Sequence, residues 1–114
     1  MDLFIERTVV ADCPIMSARG ELDLATVPRL HSALNKFVDD HAGRRIIVDL
    51  DGLTACDDAG LGVLLGAAGR ARQGSGELVV VSSDGPLRTR LGRTGFDRAI
   101  EVYASITDAV HTER

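Results

Sequence analysis

The sequence predicts an α/β fold: one domain built on a mainly parallel β-sheet, with an N-terminal antiparallel hairpin and four helices. Three observations carry this expectation. Short runs rich in Ile, Val and Leu alternate with longer stretches whose apolar residues recur at helical spacing. The chain has 114 residues, 45% of them hydrophobic, which suits one domain with a real core. After an opening pair of strands, strand and helix alternate, which implies right-handed crossovers and parallel strands.

Residues 3–11 and 15–20 are predicted as two strands, broken by Asp12-Cys13-Pro14 and so paired antiparallel. The first helix follows. Thr26 is its expected N-cap, and Pro28 lies in the first turn, where a missing N–H costs nothing. Val27, Leu30, Leu34, Phe37 and Val38 make one apolar stripe, and Gly43 offers a left-handed end. Residues 45–50 form a short, mostly apolar strand, as expected when helices cover both faces of a sheet. Asp51-Gly52 then favours a turn.

A second helix spans about 59–72 and stops before Gln73-Gly74-Ser75-Gly76. Gly62, Gly66 and Gly69 lie three or four apart within it. Each costs roughly 1 kcal/mol against Ala in a helix interior, so close approach of the helix to the sheet is the expected compensation. Residues 77–82 form another buried strand. Asp84 or Ser83 caps a third helix, with Pro86 in its first turn and Gly95 past its end. Residues 100–103 alternate like an outer strand, and Ser105-Ile106-Thr107-Asp108 matches a capping box before a short last helix. With no repeat and no linker, residues 1–114 are expected to be one domain.

Several function classes are disfavoured by composition. The net charge is −4, and phosphate contacts with nucleic acid need clustered Lys and Arg. Arg88, Arg90 and Arg93, flanked by Asp84 and Asp97, read as a solvated helix face. Cys13, Cys56, His31, His41 and His111 lack the paired spacing of a zinc site, so neither metal nor cofactor is expected. No apolar run approaches the ~18 residues of a membrane span. The acidic start, Met1 to Glu6, is too short for a signal peptide. A cytoplasmic location is expected.

Functional residues in parallel sheets gather at the carboxyl ends of strands. Here those ends are Gly20 to Asp23, Asp51 to Asp58, and Ser82 to Gly85. Cys13 and Cys56 should lie at opposite ends of the sheet, too far apart for the ~7 Å Cα separation a disulfide allows.

Three motifs compete. Asp49-Leu50-Asp51-Gly52 resembles the nucleophile motif of haloacid-dehalogenase phosphatases, where two carboxylates and magnesium act together. Thr54 stands one residue late for that family, and the only lysine, Lys36, lies upstream, so an enzyme is not expected. Gly60-Leu61-Gly62 could open a phosphate-binding helix. However, residues 51–59 separate it from the strand, whereas a dinucleotide fingerprint follows its strand at once. Asp57-Asp58 suits a helix start, each acid stabilising by about 0.3–1 kcal/mol. The same acids oppose a lowered pKa at Cys56.

Gly20-Glu21-Leu22-Asp23 with Thr26, then Ile47-Val48-Asp49-Leu50, Leu53, and Asp57-x-x-Gly60-Leu61-Gly62-Val63-Leu64, resemble the STAS domain of bacterial anti-sigma factor antagonists. Gly95-Phe96 and the short terminal helix agree, so the resemblance covers nearly the whole chain. It implies a non-enzymatic protein that binds an anti-sigma factor, often a serine kinase, and so regulates sigma-factor-dependent transcription. It implies a docking surface at Asp23, Thr26, Asp57, Asp58, Gly60 and Leu61. In that family the kinase phosphorylates the Ser or Thr before the Gly-Leu pair. A phosphate there adds about −1.5 to −2 charges and breaks the complex.

Here that position is Ala59, which has no hydroxyl, and the residue before it is Asp58. Two consequences compete: Ala59 fixes the surface in its binding form, or Asp58 imitates part of a phosphate. The single charge of Asp58, one residue early, favours the first. A different class, a small-ligand or nucleotide sensor using the same strand ends, remains the alternative.

Overall fold

The computed structural model describes residues 2–111. Strands β1 (Leu3–Val10) and β2 (Cys13–Leu22) form the antiparallel hairpin. Its loop is only Ala11-Asp12, both at positive φ (51° and 66°), the geometry of a tight two-residue turn. Pro14 therefore falls inside β2, opposite Val9, rather than breaking it. That position is tolerable because a two-residue loop makes Val10–Cys13 the hydrogen-bonded pair and leaves Val9–Pro14 a non-bonded one.

Helix α1 (Val27–Asp40), strand β3 (Arg45–Cys56), helix α2 (Asp58–Gln73) and strand β4 (Glu77–Val81) follow. Helix α3 (Pro86–Arg93), a single helical turn α4 (Phe96–Ala99), strand β5 (Val102–Tyr103) and helix α5 (Ile106–His111) complete the described chain. The sheet runs β1-β2-β3-β4-β5, with β2 to β5 mutually parallel. A fifth helix is present because Gly95, at φ 81°, turns the chain after α3 and lets α4 start afresh.

Strand order follows chain order, so every right-handed crossover lands on the same face. Leu30, Leu34 and Phe37 of α1, Leu61, Leu64 and Ala68 of α2, Leu91 and Phe96 pack there on Met16, Ala18, Val48, Leu50 and Val80. The opposite face carries a smaller cluster, Ile15, Ile47, Val79 and Val81, covered by Ala109 of α5. The expected coverage of both faces by helices is thus uneven.

Two boundaries differ instructively. β3 does not end at Leu50 and Asp51-Gly52 makes no turn; the strand continues to Cys56, paired with β2 as far as Leu22. Register shifts between Ser17 and Arg19 and between Gly20 and Glu21 absorb the irregularity. Gly20, at φ 102°, is required there: a Cβ would lie 2.3 Å from the Asp2 carbonyl oxygen. At α3, neither Ser83 nor Asp84 caps the helix. Gly85 holds the N-cap position, while the Ser83 N–H and hydroxyl donate to Asp51 Oδ1 at 2.7 and 3.0 Å. The capping at α5 is as expected, with the Asp108 N–H donating to Ser105 Oγ at 3.1 Å. Cys13 and Cys56 are both free; Cys56 pairs with Leu22, so the β2 ladder holds it roughly 30 Å along from Cys13.

Candidate partner-docking site

The carboxyl ends of β2 and β3 lie side by side, because Leu22 pairs with Cys56 and the Asp57 N–H donates to the Leu22 carbonyl at 2.8 Å. This brings the turn before α1 next to the start of α2. The first turn is closed by its own residues. Asp23 Oδ1 accepts from the N–H groups of Ala25 and Thr26 at 2.9 and 3.0 Å. Thr26 Oγ1 accepts from the Asp23 N–H at 2.9 Å and donates to the Glu21 carbonyl at 2.9 Å. Thr26 is therefore not the side-chain cap of α1. It holds the N-cap position, but its hydroxyl points backwards into the turn, and Asp23 accepts from the two amides that precede the helix. At the tip of this turn Leu24 is 75% exposed.

The start of α2 is held differently. Asp57 is the N-cap residue but makes no side-chain capping bond. Gly60 packs directly on buried Leu22; a Cβ would stand 2.3 Å from Leu22 Cδ2. The Asp58 carboxylate is fully presented to solvent on one side and bonded on the other by Arg90 of α3, which also donates to the Cys56 carbonyl. The hydrogen bond that Arg90 donates to Asp58 raises the Arg90 pKa further, so this charge is permanent. Burial pushes the Cys56 thiol up, Arg90 opposes this, and Asp57 and Asp58 reinforce it. Such a shift disfavours the reactive thiolate form of Cys56.

The structure divides the sequence-derived site residues. Asp57, Asp58 and Ala59 are exposed and Asp23 is half-buried. Thr26 (3% exposed), Gly60 and Leu61 (6%) are inside. Their side chains shape the surface rather than form it. Gly62, Gly66 and Gly69 do not bring α2 to the sheet; a Cβ at any of them would meet nothing within 4 Å. The packed face of α2 is Gly60, Leu61, Leu64, Ala67, Ala68 and Ala71, and the three glycines lie off it. With Ala59 and the 39%-exposed Leu65, they leave a bare, low-relief strip on the helix.

Sequence reasoning missed Leu24 and Arg90. Arg90 is not part of a solvated face: its side chain is 34% exposed and turned onto Cys56 and Asp58. Only the path of α3 after β4 could reveal that. Arg90 also lines a cleft of about 430 Å³ between the ends of β3 and β4, with Asp51, Thr54, Ser82 and Asp84. The phosphatase-like carboxylates are engaged locally. Asp49 Oδ1 accepts the Asp51 N–H at 3.0 Å, and burial raises the Asp49 pKa, opposed by that bond. Among the described residues no three His, Cys, Asp or Glu side chains converge as a metal-holding group. Among the same residues no helix is long and apolar enough to cross a membrane.

The family model described as "STAS domain" matches residues 4–109. The "Anti-sigma F factor antagonist" of Paenibacillus polymyxa is 26% identical over 110 residues, covering 96% of this chain and 94% of that one. The "Anti-sigma-B factor antagonist" of Staphylococcus aureus is 32% identical over 93 residues, 82% of each chain. Among solved structures, an anti-sigma factor antagonist from Mycobacterium paratuberculosis superimposes with a TM-score of 0.85 at 23% identity, covering 96% of this chain and 92% of that one.

Proposed function

The chain belongs to the STAS domain family, and on that premise we propose that it is an anti-sigma factor antagonist, a cytoplasmic, non-enzymatic regulator of sigma-factor-dependent transcription. Its partner is an anti-sigma factor of the serine-kinase type. The docking surface is the exposed end formed by Asp23 and Leu24 with Asp57, Asp58 and Ala59, over a scaffold of Thr26, Gly60 and Leu61.

One observation carries this reading. A 75%-exposed leucine at the tip of a rigidly bonded turn stands at the same strand ends as an acidic helix start and a bare helix strip. Exposed apolar groups rimmed by charge suit protein association. Ala59 is exposed and has no hydroxyl, so the surface has no phosphoacceptor at the family's position. Asp58 does not stand in for a phosphate, because Arg90 answers its charge from within the chain. The surface is fixed in its binding form.

Calorimetry against the anti-sigma factors of the source organism tests the assignment. Leu24→Glu with Asp57→Asn, which keeps a good N-cap residue, should weaken binding at least about tenfold while leaving the melting temperature nearly unchanged. Unchanged affinity for every such partner would remove the site. Leu61→Glu is unsuitable for this purpose, since Leu61 is buried and its loss would act through the core.

A second reading, a small-ligand or nucleotide sensor, draws support from the cleft between β3 and β4, where Arg90 supplies a cation that the local sequence lacks. It predicts micromolar binding of ATP or GTP in the same calorimeter.

A further inference from the structure

Strand β1 is the long free edge of the sheet; the other edge, β5, has two residues. Within β1 the hairpin sets which groups point outward. Val10–Cys13 closes the two-residue loop as a hydrogen-bonded pair, so Thr8, Glu6, Phe4 and Asp2 also bond inward. The Glu21 N–H donating to the Asp2 carbonyl at 2.9 Å agrees with this alternation. Leu3, Ile5, Arg7 and Val9 therefore aim their N–H and C=O groups away from the sheet, an open template for another strand.

The side chains on this edge are unusual for an unpartnered one. Phe4 is 52% exposed, Val9 62% and Val10 40%. Charges normally guard such an edge, but here each is occupied by its own chain. Arg7 holds Asp40 at 2.9 Å, and Glu6 holds Arg19 at 2.9 Å.

We propose that β1 pairs antiparallel with β1 of a second copy of this chain, in the single register that places Arg7 opposite its own copy, making one continuous sheet across a two-fold axis. An axis normal to the sheet keeps each side chain on its own face, so some residue must face its own copy. With Arg7 at the axis, Phe4 meets Val10 of the copy on the α5 side, and Ile5 meets Val9 of the copy on the α1 side. Each of the three exposed apolar residues thereby gains an apolar cross-strand partner, the unit of sheet stabilisation. With Glu6 at the axis, Phe4 would meet Thr8 and Ile5 would meet Arg7; the like charges on the axis do not distinguish the two registers, since Arg7 and Glu6 are each paired within their own chain. With Thr8 at the axis, Phe4 would meet Asp12 and Glu6 would meet Val10. The outward amides of Ile5, Arg7 and Val9 all find partners in the preferred register. This edge lies outside the strand-end docking surface, so the two contacts are independent.

Sedimentation equilibrium and cysteine cross-linking test the pairing together. The weight-average mass should rise with concentration from 12.1 kDa towards twice that value. Val9→Pro, which removes one outward N–H at an edge position that tolerates proline, and Val10→Lys, which leaves the backbone intact, should each weaken self-association at least about tenfold. In a background of Cys13→Ser and Cys56→Ser, Arg7→Cys should oxidise to a covalent dimer, because facing Cα atoms would be ~5.5 Å apart, within disulfide range. A mass of 12.1 kDa at every concentration up to the millimolar range, or a dimer unaffected by both substitutions, would overturn the proposal. Preferential cross-linking of Glu6→Cys over Arg7→Cys would overturn its register.

Discussion

Two turns sit side by side at the carboxyl end of the sheet, and they are held by opposite means. The turn before α1 closes on itself, by bonds among Glu21, Asp23, Ala25 and Thr26. The start of α2 has no side-chain cap of its own and depends on Leu22 beneath it and on Arg90, 32 residues beyond Asp58. Every side-chain bond of the first joins residues at most five apart. The second exists only once the sheet and α3 are in place. The proposed docking surface, assembled from both, would combine one locally closed element with one that depends on the rest of the fold.

The sharpest way to break this comparison is at the glycines of α2. Gly60→Ala pushes a methyl group into buried Leu22 and should cost about 1–3 kcal/mol. Gly62→Ala and Gly66→Ala, with open space at their Cβ positions, should each gain up to about 1 kcal/mol. Urea unfolding of the three variants checks both signs. If all three were stabilising, α2 would not be seated on β2 as described.

Next in size is Thr26→Val. It keeps the shape but leaves the Asp23 N–H and Glu21 carbonyl without their partner in a buried place, for a loss of about 1–3 kcal/mol. Asp23→Ala should cost about 1 kcal/mol, as for a lost cap. Arg90→Ala should change global stability by less than about 1 kcal/mol, since its partner Asp58 is well exposed. Its effect should instead be local: faster amide hydrogen exchange at the start of α2, with the turn at residues 23–26 unaffected. Equal protection at both turns would erase the distinction.

The smallest expected effect is a pH dependence. Burial raises the Asp49 pKa above its unfolded value, so the native state holds that proton more tightly. The carboxylate is then a liability above the folded pKa, relieved as pH falls through it towards 3.8. Asp49→Asn, which can still accept the Asp51 N–H, should raise the melting temperature at pH 7 and lose that advantage on acidification. A gain that persists at pH 3 would contradict the assignment.

What the sequence made legible follows the same division. The apolar stripe of α1, the hairpin, the parallel alternation and the Ser105 cap all depend on neighbours in the chain, and the structure carries each of them. The adjacency of the strand ends at Leu22 and Cys56 followed from the alternation, whereas the docking role proposed for them came from the family resemblance. What escaped depends on distant partners. The extension of β3 to Cys56 is stabilised by pairing with β2, which outweighs the turn preference of Asp51-Gly52. Glycine spacing in α2 signalled a special face but not which way it turned, since two residues of helical rotation, from Gly60 to Gly62, separate contact from open space. Arg90 looked like one of three arginines on a solvated helix until α3 brought it over Cys56.

On the proposed function, the surface at the start of α2 docks an anti-sigma kinase yet cannot be switched by phosphorylation at residue 59. The most direct measurement is intact mass after incubation of the purified complex with ATP, for the chain as it stands and for Ala59→Ser. The account predicts a retained complex with no added phosphate on the natural chain, and one added phosphate with release of the kinase for Ala59→Ser. A phosphate on the natural chain, accompanied by release, would contradict it.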